Sequence, residues 1–513
     1  MLIKRKPFIA NWSVVILVVM LGAGLGLRLL KLTNPPLDFH ADRQLSSAIV
    51  ARGMYYQMLP NIDPAQKQMA ISLWKSQDVY EPPILERIVA LTYYVVGSEQ
   101  LWIARIYSSI FWIIGGLALY GLAKRMTSVG GGLAALAFYL FVPLGVYASR
   151  AFQPNSFMVM WILLALYALF RWSKDRTWKW TLLTGLLAGM AVLVKVFAAV
   201  MLAPALVAVV LSTIGLRNVV RNRQIWSMAG ISIAIPAAYY LIGIGANSAG
   251  FINFWVLSYT NMLFQPRFYF AWLAMAGSLV GISTIFFSLA GLTLISGTGR
   301  ALALGLWLGY GLFGLLVPVQ ISTHDYYSLS LIPIVGLSLA AIFTLVIEKV
   351  VKQSRYWQGF AILVAILAIA ISAWLARNGI VVQDYAPEAK GWAVMGADLP
   401  RDGRIIALTH EYGTRLSYFG FIQVGLWPYV ADFGVLAQRN GGQGNGQPAS
   451  DAFDQYFHSK TEGYKYFLVT LFNELDAQPL LKSKLYDTYP IFQQGDGYIL
   501  FDLDNPLTPT QQP

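Results

Sequence analysis

WSVVILVVMLGAGLGLRLL, residues Trp12 to Leu30, decides the class of this protein. As a helix, this apolar run is long enough to cross the hydrocarbon core of a bilayer, which takes roughly 20 residues. A basic start, MLIKRKPFIANW (Met1 to Trp12), leads into it. No small-residue cleavage site with a polar continuation follows, so the run reads as a retained first helix and not as a cleaved signal peptide. The same signal recurs along the chain. Residues 12–31, 101–123, 129–147, 156–172, 179–194, 197–215, 225–243, 271–296, 301–319, 327–347 and 358–376 are candidate spans, about eleven in all. Lys195 separates 179–194 from 197–215, and those two could form one long broken helix.

Composition agrees with that reading. Of 513 residues, 57% are hydrophobic and only 12% charged, and the mean hydropathy is +0.56. A soluble chain of this length needs far more polar surface. The net charge of +12 points first to basic cytoplasmic loops and only second to a nucleic-acid partner, and none is expected. The absence of Cys excludes disulfides, thiolate metal sites and Cys nucleophiles. Basic clusters set the orientation. Lys4, Arg5 and Lys6, then Lys124 and Arg125, then Arg171, Lys174, Arg176 and Lys179 all fall on one side of alternating helices. So do Arg217, Arg221 and Arg223, then Arg300, and finally Lys349, Lys352 and Arg355. By the positive-inside rule that side is cytoplasmic, which places the N-terminus inside a cell inner membrane.

Two segments then lie outside. Residues 32–100 contain two amphipathic stretches, QLSSAIVARGMYYQML and PPILERIVALTYYVVG, which could lie in the interface plane. After residue 376 the composition turns polar, with a Gly-rich loop at Asn440 to Ser450. RIIALTH (404–410), YKYFLVT (464–470) and GYILFDL (497–503) read as strands, and EAKGWAVMGADL and ASDAFDQYFHS as helices between them. The expected fold class is a polytopic α-helical membrane protein, 1–376, with a C-terminal extracytoplasmic α/β domain, 377–505, and a disordered end, 506–513.

The ionisable residues expected outside are not scattered. Asp38, His40, Asp42 and Arg43 follow the first span, and Glu81, Glu86 and Arg87 sit in YEPPILER. Arg105, Arg150 in YASRAFQPNSF, Lys195, Arg267, and His324, Asp325, Tyr326 and Tyr327 (HDYY) complete the set at span ends. Charge near lipid is costly, so such residues usually pair or serve a site. Asp42 reads equally as an N-cap for a helix starting near Arg43. Arg52 reads as facing interfacial water or head groups, and the many Trp residues as interface anchors. No His/Asp/Glu cluster has convincing metal spacing.

This pattern resembles the GT-C glycosyltransferases that use polyprenyl-phosphate sugars. The nearest branch holds the protein O-mannosyltransferases and the aminoarabinose transferase of lipid A, glycosyltransferase family 39. The resemblance covers most of residues 12–347. It rests on Asp38 in the first outer loop, Pro82 and Pro83, and the SRxxxP stretch of Ser149, Arg150 and Pro154. GLLAGMAVLVK (Gly185 to Lys195) and His324, Tyr326, Tyr327 and Pro333 complete it. Two departures stand out: Phe39 and Asn155 occupy positions where family members often carry acids.

The resemblance implies an inverting transfer of sugar from a polyprenyl-phosphate donor to an acceptor hydroxyl. The acceptor is a protein, a glycolipid or a polysaccharide. A carboxylate within reach takes the acceptor proton, and cations and hydroxyls offset charge on the leaving phosphate. Asp38 is the expected base, with Asp42 as a second catalytic acid. Arg43, Arg150, Lys195, Tyr326 and Tyr327 are expected to contact the donor phosphate, with His40, Glu81 and His324 in support. No cofactor is required, and a divalent cation stays open. A transporter or flippase of lipid-linked sugars and an inactive accessory member are the alternatives. Ionisable groups at span ends, and no internal repeat, favour the enzyme.

Overall fold

The computed structural model describes residues 8–78, 81–242, 257–439 and 446–507. The basic cluster Lys4 to Lys6, the first residues of the Gly-rich loop and most of the expected disordered end lie outside the described residues. The chain groups into two compact units. One takes residues 1–33, 79–85 and 101–383, and the other takes 34–78, 86–100 and 384–513. It opens with α1 (Phe8–Arg28), α2 (Ala41–Met58), α3 (Pro64–Lys75), α4 (Ile84–Val96) and α5 (Trp102–Met126). There follow α6 (Val129–Phe141), α7 (Pro143–Arg150), α8 (Asn155–Asp175), α9 (Trp178–Val194) and α10 (Ala198–Ile214).

Helices dominate the first unit. Five of the described helices are long and apolar enough to cross a membrane, or up to seven if each of two bent pairs counts as one span. This corrects the expected eleven. Runs 129–147 and 271–296 are not straight spans: α6 and α7 meet at 65°, and Pro266–Val280 meets Ile282–Gly291 at 87°. Pro143 removes a backbone donor at the first bend, and Gly281 supplies φ 86° at the second. Trp12–Arg28, α9 and α10 are shorter apolar helices. The last two are separate, broken at Lys195 to Phe197.

Small residues let the helices approach. A Cβ added at Gly305 or Gly309, on helix Gly297–Leu316, would lie 2.5 Å from Ala205 Cα or Met201 O on α10. The same four-residue spacing at Gly185 and Gly189 seats α9 against helix Arg223–Ile242. Helix Arg355–Val381 leaves Phe360, Ile366, Ile371 and Trp374 exposed. A helix that is apolar all round and unburied needs an apolar medium, which the bilayer supplies.

The second unit combines α2, α3, most of α4 and a five-stranded mixed sheet of order β2-β1-β3-β5-β4. Here β1 is Ile405–Leu408, β2 Gly425–Leu426, β3 Tyr466–Val469, β4 Ile491–Gly495 and β5 Tyr498–Asp502. β1 runs parallel to β2 and β3, and β5 antiparallel to β3 and β4. β1 sends Ile406 and Leu408 into one core with Phe467 and Phe501, and Ile405 and Ala407 into another with Tyr466 and Leu500. Burial on both faces explains why these strands read as continuous apolar runs. The strands expected at 404–410, 464–470 and 497–503 are β1, β3 and β5.

Candidate functional site

In the first unit the helix ends carry the polar groups. The bend at Pro143 delivers Ser149, Arg150 and Asn155 at the α7–α8 junction. Arg150 is 1% exposed, and its Nη2 donates to the Lys31 carbonyl at 3.3 Å. Arg105, also buried, donates to the same carbonyl at 3.3 Å. Both guanidinium groups therefore converge on the residues just past α1.

Lys195 ends α9, where the helical ladder stops, and only 3% of it is exposed. Its Nζ donates to Asn155 Oδ1 at 3.0 Å and lies 3.4 Å from Glu81 Oε1. The same ammonium sits 4.8 Å from the Tyr327 ring centroid and 5.8 Å from that of Tyr326. His324 stands edge-on to Tyr326, and its Nδ1 shares a 2.7 Å hydrogen bond with Thr323 Oγ1. Thus Glu81, Lys195 and the stretch of His324, Tyr326 and Tyr327, three places far apart in sequence, form one cluster. Asn155, noted in the sequence only as a departure, is a direct partner of Lys195. An amide there accepts from the ammonium without adding a second negative charge.

Asp38, His40, Asp42 and Arg43 belong to the second unit. His40, left-handed at φ 46°, is the N-cap of α2. Asp42 is therefore not the cap; it sits in the first helical turn, where its charge complements the helix dipole. Arg43 lies on the same turn. Gln44, fully buried, donates through Nε2 to Asp38 Oδ1 at 3.1 Å, to the Phe39 carbonyl at 2.8 Å and to the Pro36 carbonyl at 3.3 Å. One side chain so ties down the loop that presents Asp38, an exposed residue.

Glu411, from the tail, shares the electrostatic environment of Asp42 and His40. Burial first, and then the Asp42 charge, push its carboxyl up to about 7, while His40 acts in the opposite direction. Arg415 donates to both Glu411 oxygens, at 2.9 and 2.6 Å. Glu411, Tyr412 and Gly413 are consecutive residues with positive φ.

Arg52 is no interfacial side chain. Its Nε donates to Glu99 at 2.9 and 3.1 Å, its Nη1 donates to the Tyr418 carbonyl at 2.6 Å, and its guanidinium lies 3.8 Å from the Tyr418 ring centroid. Nor are the Trp residues all anchors: Trp112 and Trp172 are fully buried. Among the described residues, no group of three or more His, Asp or Glu side chains could hold a metal ion.

Sequence reasoning missed Gln44 and Glu411. The signal for Gln44 was a polar residue on the buried face of α2; for Glu411, contributed from the tail, there was none. It also missed Arg28, although a lone cation inside an apolar span is a functional signal by default.

Residues 80–242 match the model of the family described as dolichyl-phosphate-mannose-protein mannosyltransferase. Glu81, Arg150, Asn155 and Lys195 fall inside that segment. The fold is similar to that of ArnT from Cupriavidus metallidurans bound to undecaprenyl phosphate, with TM-score 0.57 at 13% identity, covering 96% of this chain and 98% of that one. It is also similar to the oligosaccharyltransferase AglB from Archaeoglobus fulgidus, in complex with an inhibitory peptide and a dolichol-phosphate. There the TM-score is 0.56 at 13% identity, over 99% of this chain and 75% of that one. The arabinofuranosyltransferase AftD from Mycobacteria gives 0.51 at 16%, over 95% and 41%. No curated protein matches the sequence. The chain is a multi-pass membrane protein whose fold is similar to that of these transferases.

Proposed function

We propose that the chain is an inverting glycosyltransferase that moves a sugar from a polyprenyl-phosphate donor to an acceptor hydroxyl. It works at the outer face of the cytoplasmic membrane, with its N-terminus inside. The observation that carries this reading is the Lys195 cluster: a buried cation within the matched segment, held by Asn155 and Glu81 beneath two tyrosine rings. Such a group suits an anion at a membrane surface better than a neutral solute.

In this mechanism Asp38 accepts the proton of the acceptor hydroxyl while the oxygen attacks the anomeric carbon. The bond from that carbon to the phosphate oxygen breaks, and the polyprenyl phosphate leaves with the added charge. Arg43, Arg150 and Lys195 offset that charge, and the Tyr326 and Tyr327 hydroxyls donate to it. Asp42 tunes the carboxylate environment, and His40, Glu81 and His324 hold their neighbours in place. Direct attack inverts the anomeric centre, and no step needs a cofactor. The acceptor hydroxyl belongs to a protein, a glycolipid or a growing polysaccharide.

The test is sugar transfer in membranes from labelled polyprenyl-phosphate sugars, comparing wild type with Asp38→Asn. Loss of a general base is expected to slow transfer by roughly 10²–10⁴-fold in a well-folded variant. Equal transfer by both would remove Asp38 from the mechanism. Movement of labelled lipid across the bilayer without transfer would favour a transporter instead.

A further inference from the structure

The α6–α7 bend leaves a specific deficit. Pro143 has no N–H, so the Tyr139 carbonyl, four residues earlier, loses its helical donor. Two distant side chains act at this point. Trp112 Nε1 donates to the Tyr139 carbonyl at 3.2 Å, and Arg28 Nη1 donates to the Leu140 carbonyl at 3.0 Å. Arg28 also bonds its own Gly24 carbonyl at 2.8 Å, and its Nε donates to Ser149 Oγ at 2.6 Å. Ser149 immediately precedes Arg150. Arg28 thus spans both ends of the bent segment, from the last turn of α6 to the last turn of α7.

The charge of Arg28 has no obvious protein answer. The residue is fully buried, and among the described residues no carboxylate lies within ion-pair distance of it. Its Nη2 has no hydrogen-bond partner among the described residues. Arg150, of the same sign, acts on it electrostatically, and the Trp112 ring lies 5.9 Å away. A buried cation at the end of an apolar helix without a counter-ion is costly, and an anion offsets that cost.

We propose that Arg28 is a positioning residue for the donor phosphate: through Ser149 it fixes the orientation of Arg150, and its own unneutralised charge deepens the positive well that the phosphate fills. This inference rests on the polyprenyl-phosphate reading above. Arg28 does not touch the reacting atoms; it acts through the α7 end.

The test uses the full chain in lipid nanodiscs and measures binding of undecaprenyl phosphate beside the uncharged alcohol, undecaprenol. Arg28→Met is expected to weaken phosphate binding on the order of tenfold, the loss of about one charge-assisted bond, and to leave undecaprenol binding unchanged. Arg28→Lys keeps the charge but cannot bridge Ser149 and Leu140, so it should recover only part of the loss. Ser149→Ala removes a single oxygen and is expected to weaken phosphate binding several-fold even if Arg28→Met fails to fold. Combining the two should give less than the sum of their effects, because they share one bond. Parallel losses for phosphate and alcohol, or additive effects, would overturn the positioning role. Unchanged phosphate binding in both single variants would overturn it as well. If wild type itself prefers undecaprenol or binds neither lipid, the donor reading fails and the role of Arg28 falls with it.

Discussion

Removing the Lys195 ammonium separates what that group does for the fold from what it does for the donor. Its Nζ lies 3.4 Å from Glu81 Oε1, and Lys195 is almost fully buried while a fifth of the Glu81 side chain is exposed. At an effective dielectric of 20 the Coulomb attraction at that distance is about 5 kcal/mol, an upper bound before desolvation. Deleting one partner of a buried pair costs about 3–5 kcal/mol, because the other charge is left uncompensated. The partial exposure of Glu81 puts Lys195→Met near 3 kcal/mol. Adding Glu81→Gln removes the charge that has lost its Lys195 partner, so the double variant should regain most of that stability. Transfer should not return with it: losing a preorganised cation at a developing charge costs about 10²–10³-fold. The assay pairs thermal unfolding, followed by tryptophan fluorescence in detergent, with initial rates of sugar transfer. If the double variant recovers both stability and transfer, Lys195 is a structural cation only. If Lys195→Met leaves stability unchanged, the ion pair itself is refuted.

Two further outcomes follow from the second unit. Gln44→Leu keeps the bulk of the side chain but removes its bond to Asp38; a bond to a charged group is worth about 1.5–3 kcal/mol. Transfer should therefore slow by roughly tenfold or more, with the effect in kcat and little change in KM, and an unchanged kcat would refute the orienting role. For Glu411 the sign follows from its raised carboxyl: about 7 when folded against 4.5 when unperturbed. Between those values the folded state binds the extra proton, so its contribution is complete below pH 4.5 and is lost as pH rises through 7. Relative to Glu411→Gln, wild type should lose unfolding temperature between pH 4.5 and 7; parallel curves would refute the shift.

The membrane character and the strands of the tail were legible because they depend on local periodicity and length. A run such as Trp12 to Leu30 has no stable place in water, whatever follows it. β1, β3 and β5 are buried at every position, and apolar at all but Asp502, because both faces of the sheet are covered. β2 and β4 were not legible: β2 has two residues, and β4 is a mostly exposed edge strand without an apolar run. The ionisable residues at the span ends were legible as a set, since charge beside apolar runs is conspicuous in composition alone.

Their partners were not. Hydropathy counts the apolar residues of 129–147 but is silent about a 65° bend, because the donor that Pro143 lacks is replaced by Trp112 and the next carbonyl is met by Arg28, both from other helices. Asn155 read as an acid lost, and it became a partner of Lys195 only when the α7–α8 junction met the end of α9. Arg52 read as an interfacial cation until Glu99 and Tyr418, the latter 366 positions away, enclosed it. The sequence by itself determined which segments shun water and which chemical groups stand at their ends, because transfer from water is a property of each segment. Which of those groups share a hydrogen bond was decided only by the tertiary structure. A charged atom's role depends on neighbours within about 4 Å, and long-range packing alone brings them there.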